Sequence, residues 1–120
     1  MQPDLATQSG VITASGQAIP YENLDVLLCR PPQLDIASLQ RKMVNDRRGG
    51  YCFQQIMLLR ADLRALGFAA TALVGHVVLG LRPDAERPAG RGAVRVDLVE
   101  GPFLVDVGSG SLTPAPPLRL

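Results

Sequence analysis

There is no tryptophan in this chain, a single histidine and only two cysteines among 120 residues. One imidazole and two thiols leave no metal-ligand pattern, and Cys29 with Cys52 are too few for a disulfide framework. Aromatic residues amount to 4%, low for a globular chain. No apolar run approaches the roughly 18 residues that a membrane span needs. Met1-Gln2-Pro3-Asp4 lacks the basic stretch and apolar core of a secretory signal. An excess of positive charge is missing as well. The formal net charge is +1, and the arginines are scattered apart from Arg47-Arg48, which argues against an electrostatic nucleic-acid footprint. The expectation is a soluble, cytoplasmic protein with neither nucleic acid nor membrane as a partner. What is present is enough apolar material for a core, 47% of residues, in a chain sized for one small domain or part of a larger one.

Along the chain the hydrophobic period changes once. Residues 1–18 are polar and small, carry Gly10 and Gly16, and predict an irregular or mobile start. Pro20 biases Ile19 to an extended state, and residues 25–28 continue as an extended apolar segment ended by Pro31-Pro32. Asp35 is placed to cap a short helix over residues 36–45, with Ile36, Leu39 and Met43 on one face and Arg41, Lys42 and Asp46 off it. Gly49-Gly50 stops that helix. Residues 52–66 form the strongest helix, with Phe53, Ile56, Leu59, Leu63 and Leu66 three or four apart and Gly67 as its stop. Residues 70–81 then read as a long buried strand. A loop rich in Pro, Gly and charge covers residues 82–92. Val94-Arg95-Val96-Asp97-Leu98 alternates as a half-buried strand, and Glu100-Gly101-Pro102 turns it into an antiparallel strand over residues 103–107. The glycine- and proline-rich end closes the pattern. Helices followed by antiparallel strands give an α+β fold, without internal repeats.

The chemistry centres on Arg47-Arg48-Gly49-Gly50-Tyr51-Cys52-Phe53. A cysteine at a helix start feels the positive end of the macrodipole, and fixed guanidinium charges nearby favour the thiolate further. Cys52 therefore reads either as a prepared nucleophile or as a buried structural thiol. A thiol acyl carrier also needs a base and a group to orient that base. Asp106, an acid inside an apolar strand ending in Gly-x-Gly, is either that orienting group or a strand-end carboxylate bonded to local backbone amides. The one imidazole is His76, in the middle of an apolar segment, where a histidine is more often satisfied or on the surface than catalytic.

Three separated motifs resemble one family. Ile-Pro-Tyr-Glu-Asn-Leu at 19–24, Arg-Gly-Gly-Tyr-Cys-Phe at 48–53 and Leu-Val-Asp-Val-Gly at 104–108 look like the arylamine N-acetyltransferases, in the family's order. Leu112-Thr113-Pro114 and Pro117-Leu118-Arg119-Leu120 are similar to the bacterial members. The resemblance implies a helical, cysteine-proteinase-like domain over residues 1–66 and the first antiparallel strands of a β-barrel over residues 67–120. It spans less than half of a usual member, so a truncated protein is expected. It implies acetyl transfer from acetyl-CoA, as co-substrate rather than bound cofactor, to an arylamine or arylhydrazine through a cysteine thioester. Cys52 is then the nucleophile and Asp106 the triad acid. Glu22 and Arg48 form the ion pair that supports the cysteine loop, and Phe53 and Ser109 fall at substrate-pocket positions.

The resemblance breaks where the base belongs. In many members the triad histidine stands 15 residues before the aspartate, and here that position holds Arg91. An arginine stays protonated and cannot serve as a base. Ser109 replaces a usual aromatic, and Gln54 a frequent glutamate. The expectation for this chain alone is little or no turnover, and two other readings stand beside the enzyme. One is a truncated or degenerate homologue without catalysis. The other is an interaction module that pairs through an open sheet edge, since unpaired strands invite self-association.

Overall fold

The computed structural model describes residues 3–76, 78, 80–86, 89–108 and 116–120. Among these residues four α-helices and one π-helical turn precede a four-stranded antiparallel sheet, with α1 at Leu5–Ala18, α2 at Leu24–Leu27, α3 at Ile36–Leu39, the π turn at Gln40–Asn45 and α4 at Cys52–Ala65. The strands are β1 (Ala69–Gly75), β2 (Arg91–Leu98), β3 (Gly101–Val105) and β4 (Leu118–Arg119), in the spatial order of the chain. The α+β expectation holds.

The core lies between α4 and one face of the sheet. Ile56, Leu59 and Leu63 recur at helical spacing and pack with Val94, Val96 and Val105, which the period of two places on the facing side of β2 and β3. Register is set by Val94 opposite Val105 and Val96 opposite Phe103. A second cluster joins Leu39, Met43 and Leu58 on the other flank of α4. Helix α4 stops where the sequence says it should: Leu66 ends it and Gly67 takes φ +92°, a conformation that favours glycine.

Six expectations need correction. Residues 5–18 are helical rather than irregular, because Asp4 caps Thr7 N–H at 2.7 Å and Ile12 docks into the core beside α4. Residues 24–27 are a helical turn instead of an extended segment, closed by Leu28 N–H donating to Leu24 O at 2.9 Å. Helix α3 continues as a π turn, which leaves Ile36 exposed and turns Lys42 inward among carboxylates. The long buried strand is short and lies at the sheet edge. It ends at Gly75 opposite Arg91, the first residue of β2, and Val74 is 65% exposed. Finally, the strand pattern does not close at the glycine-rich end, because Leu118 and Arg119 add a fourth strand to β3. The turn between β2 and β3 is also tighter than expected. Leu98 pairs with Gly101, so only Val99 and Glu100 lie between them.

Candidate functional site

Cys52 is the first residue of α4, and it is closely packed through three glycines, of which Gly49 and Gly108 bring backbone against backbone and Gly50 meets side chains. A side chain on Gly49 would stand 2.0 Å from Pro20 O, and one on Gly50 would stand 2.8 Å from Met43 Sδ. Glycine alone lets the loop close on residues 20–22, where Gly50 N–H donates to Pro20 O at 3.2 Å and Glu22 N–H to Gly50 O at 3.1 Å. From the other side Gly108 lies on Cys52 itself. A β-carbon there would be 2.8 Å from the Cys52 α-carbon and 3.0 Å from its β-carbon. Cys52 is 7% exposed, and its Sγ lies 3.8 Å from Gly90 O.

Tyr51, immediately before Cys52, donates its N–H to Gln54 Oε1 at 3.4 Å, which satisfies one of the amides that a helix start leaves over. Burial pushes the Tyr51 phenol above its usual titration range. The Gln55 side chain ties the loop from below, donating to Gly50 O at 2.9 Å and Pro20 O at 3.2 Å.

Asp106 follows the end of β3, half-buried, and is bonded both to the local backbone and to a cation. Its Oδ1 accepts the Gly108 N–H at 2.9 Å, a local strand-end bond, while its Oδ2 pairs with the Arg91 guanidinium. The same guanidinium donates to Gly108 O at 3.1 Å. Arg91 is thus fastened to both sides of the residue that covers Cys52. Beside this pair a concavity of about 280 Å³ opens on the face of the sheet away from α4, lined by Leu73, Gly75, Ala93 and Leu104 with Arg91 and Asp106.

Below the cysteine loop, Arg48 Nη2 binds Glu22 Oε1 at 2.8 Å and Asp25 Oδ1 at 3.0 Å. Lys42 Nζ completes the cluster on Asp25 Oδ2 at 3.0 Å and Glu22 Oε1 at 3.3 Å. Hydrogen bonds from Lys42 and then Arg48 hold the Asp25 carboxyl below its ordinary range, and Glu22 followed by Asp25 raises Arg48 further.

Of the residues singled out in the sequence, Arg91 and Asp106 meet, Glu22 and Arg48 meet, and Cys52 lies under Gly108. Phe53 packs on the core beside Gly92 and edge-on to Tyr51, with ring centroids 5.7 Å apart. Ser109 lies outside the described residues. His76 is exposed, one residue past the Gly75–Arg91 pair and outside β1. The sequence reading missed Asp25, Lys42 and Gly108. Asp25 was visible by the signal that singled out Asp106, an acid set in an apolar run, Leu24-Asp25-Val26-Leu27-Leu28.

A family model described as N-acetyltransferase matches residues 4–120. The arylamine N-acetyltransferase of Escherichia coli K12 is 47% identical over 102 residues, covering 85% of this chain and 36% of that protein. The solved arylamine N-acetyltransferase of Salmonella typhimurium superposes with a TM-score of 0.93 at 39% identity, over 99% of this chain and 43% of its own. That of Mycobacterium marinum, solved in complex with CoA, gives 0.91 at 38% identity, over 99% and 45%. The chain therefore spans less than half the length of these relatives.

Proposed function

The chain belongs to the arylamine N-acetyltransferase family, and on that premise we propose that Cys52 is its acetyl acceptor, with acetyl-CoA as donor and an arylamine or arylhydrazine as the family's second substrate. The observation that carries this reading is the convergence on one thiol of the α4 start, the Gly90 carbonyl and the Gly108 backbone. In the first step Cys52 Sγ, as thiolate, bonds to the acetyl carbonyl carbon. The bond from that carbon to the CoA sulfur breaks, and CoA leaves as a thiolate that takes a proton from solvent. In the second step the amine nitrogen bonds to the same carbon, the bond to Sγ breaks, and the amine proton must be taken up by a base. CoA binding by the Mycobacterium marinum relative supports the donor, and the arylamine N-acetyltransferase relatives support an arylamine acceptor. Glu22 and Arg48 hold the cysteine loop in this reading. The N-terminal helices with α4 form a partial helical domain over residues 1–66, and the strands over 67–120 begin the second domain.

Incubation with acetyl-CoA followed by peptide mapping tests the first step. The acetyl group is expected on the peptide holding Cys52 and not on that holding Cys29. Acetylation confined to Cys29, or none at all, sinks the proposal.

A second reading concerns turnover and rests on the Arg91–Asp106 pair. The carboxylate that would orient an imidazole is engaged by a guanidinium, which stays protonated and cannot take the amine proton. General-base help is typically worth about 10² to 10⁴-fold. The chain is then a member of the family in which the second step is crippled.

A further inference from the structure

Of the two cations in the cluster below the cysteine loop, Lys42 is the one that also bonds a side chain of α4. Its three ammonium N–H groups meet three acceptors: Asp25 Oδ2 at 3.0 Å, Glu22 Oε1 at 3.3 Å and Gln54 Oε1 at 2.9 Å. The π turn at Gln40–Asn45 makes this reach available. Its wider turn, with Asp46 N–H on Arg41 O at 2.8 Å, brings Lys42 into the carboxylate cluster while Met43 stays buried against Gly50. Gln54 is the link to the thiol. It is buried, it occupies the first turn of α4, and its Oε1 also accepts the N–H of Tyr51, the residue before Cys52. Its Nε2 is anchored on Gln33 O at 3.3 Å. A buried amide oxygen needs its donors, so one oxygen couples a fixed positive charge to the backbone that sets where α4 begins.

We infer that Lys42 is a positioning residue for Cys52, acting through Gln54, which rests on the reading of Cys52 as the nucleophile. Without Lys42, Glu22 and Asp25 face Arg48 alone, one negative charge in excess at the very helix start that presents the thiol. Gln54 also loses its charged donor, and the Tyr51 N–H loses an acceptor held in place. Neutralising two carboxylates would be a purely structural task, and it would show in stability. Coupling through Gln54 shows in the thiol.

Alkylation of the intact chain by iodoacetamide, quantified separately at Cys52 and at the exposed Cys29, separates the two roles. Cys52 is expected to react faster than Cys29 in the unaltered chain. Lys42→Met is expected to lower the Cys52 rate roughly two- to fivefold, the size of a lost helix-end charge interaction, with Cys29 unchanged. Lys42→Arg restores most of the rate. Gln54→Ala lowers it similarly, and the double variant is no slower than either single one, because both act through one contact. Should Lys42→Met unfold the chain, Gln54→Ala decides alone. An unchanged Cys52 rate in Gln54→Ala, or a Lys42→Met variant that loses stability but keeps its Cys52 rate, overturns the inference while leaving the nucleophile reading intact. Cys52 reacting no faster than Cys29 in the unaltered chain overturns both.

Discussion

Asp106 and Asp25 are each a carboxylate set in an apolar run, and each is satisfied by a cation brought from another element. Asp106 takes Arg91 across from β2, while Asp25 takes Lys42 and Arg48 from the segment before α4. For Asp25 the consequence is a pH dependence. The unfolded chain binds a proton near the ordinary value of 3.8, and the folded carboxyl, held by Lys42 and then Arg48, binds it only at lower pH. Its contribution to stability is therefore complete above the ordinary value and disappears as pH falls through the lowered one. Urea midpoints measured across that acid range are expected to fall less steeply for Asp25→Asn than for the unaltered chain. Parallel pH profiles would show that the cluster adds nothing. At this scale the motifs made Cys52, Arg48, Glu22 and Asp106 legible, because each belongs to a short contiguous pattern. Lys42 was not legible. A regular helical projection sets it off the buried face, and only the π turn, which has no plain signature in Gln40-Arg41-Lys42-Met43-Val44-Asn45, turns it inward. Gly108 escaped for another reason. Its role is contact with a residue 56 positions earlier, and no local pattern encodes that approach.

Among the elements, α4 and the β2–β3 hairpin were readable because each carries a clean period, near 3.6 for Ile56, Leu59 and Leu63 and two for Val94 and Val96. Helix α1 was not. Its buried residues are Gln8 and Ile12, a single helical repeat interrupted by small polar residues, so tertiary docking rather than pattern makes it a helix. Strand β1 failed in the opposite sense. Its apolar run continues past Gly75, but β2 begins at Arg91, directly opposite Gly75, and a ladder cannot outrun its partner. The docking of α1 gives a prediction at this scale. Ile12 is buried in the main cluster, and Ile12→Ala is expected to cost about 2 to 5 kcal/mol. Amide exchange should rise across α1 more than across α4. Uniform loss of protection in both helices would mean that α1 is an integral part of the core rather than a docked addition.

For the whole molecule the sheet is open. Among the described residues β1 pairs only with β2 and β4 only with β3, so each presents an edge. Leu27, Leu28, Val74 and Leu118 are all more than half exposed. Open edges and uncovered apolar side chains favour association. The 120-residue chain by itself is expected to elute above its monomer mass of 12.8 kDa in size-exclusion chromatography with light scattering. A sharp monomer that melts cooperatively at high temperature would contradict this. Among the described residues no helix is long and apolar enough to cross a membrane. The same openness leaves the Arg91–Asp106 pair beside a concavity instead of sealed in a core, and that pair decides the account. CoA release from acetyl-CoA in the presence of an aniline acceptor measures it most directly, for the unaltered chain and for Arg91→His. The unaltered chain is expected to release at most one equivalent of CoA per Cys52, with faster, repeated release when an imidazole replaces the guanidinium beside Asp106. Sustained turnover by the unaltered chain, abolished by Cys52→Ala, would contradict this.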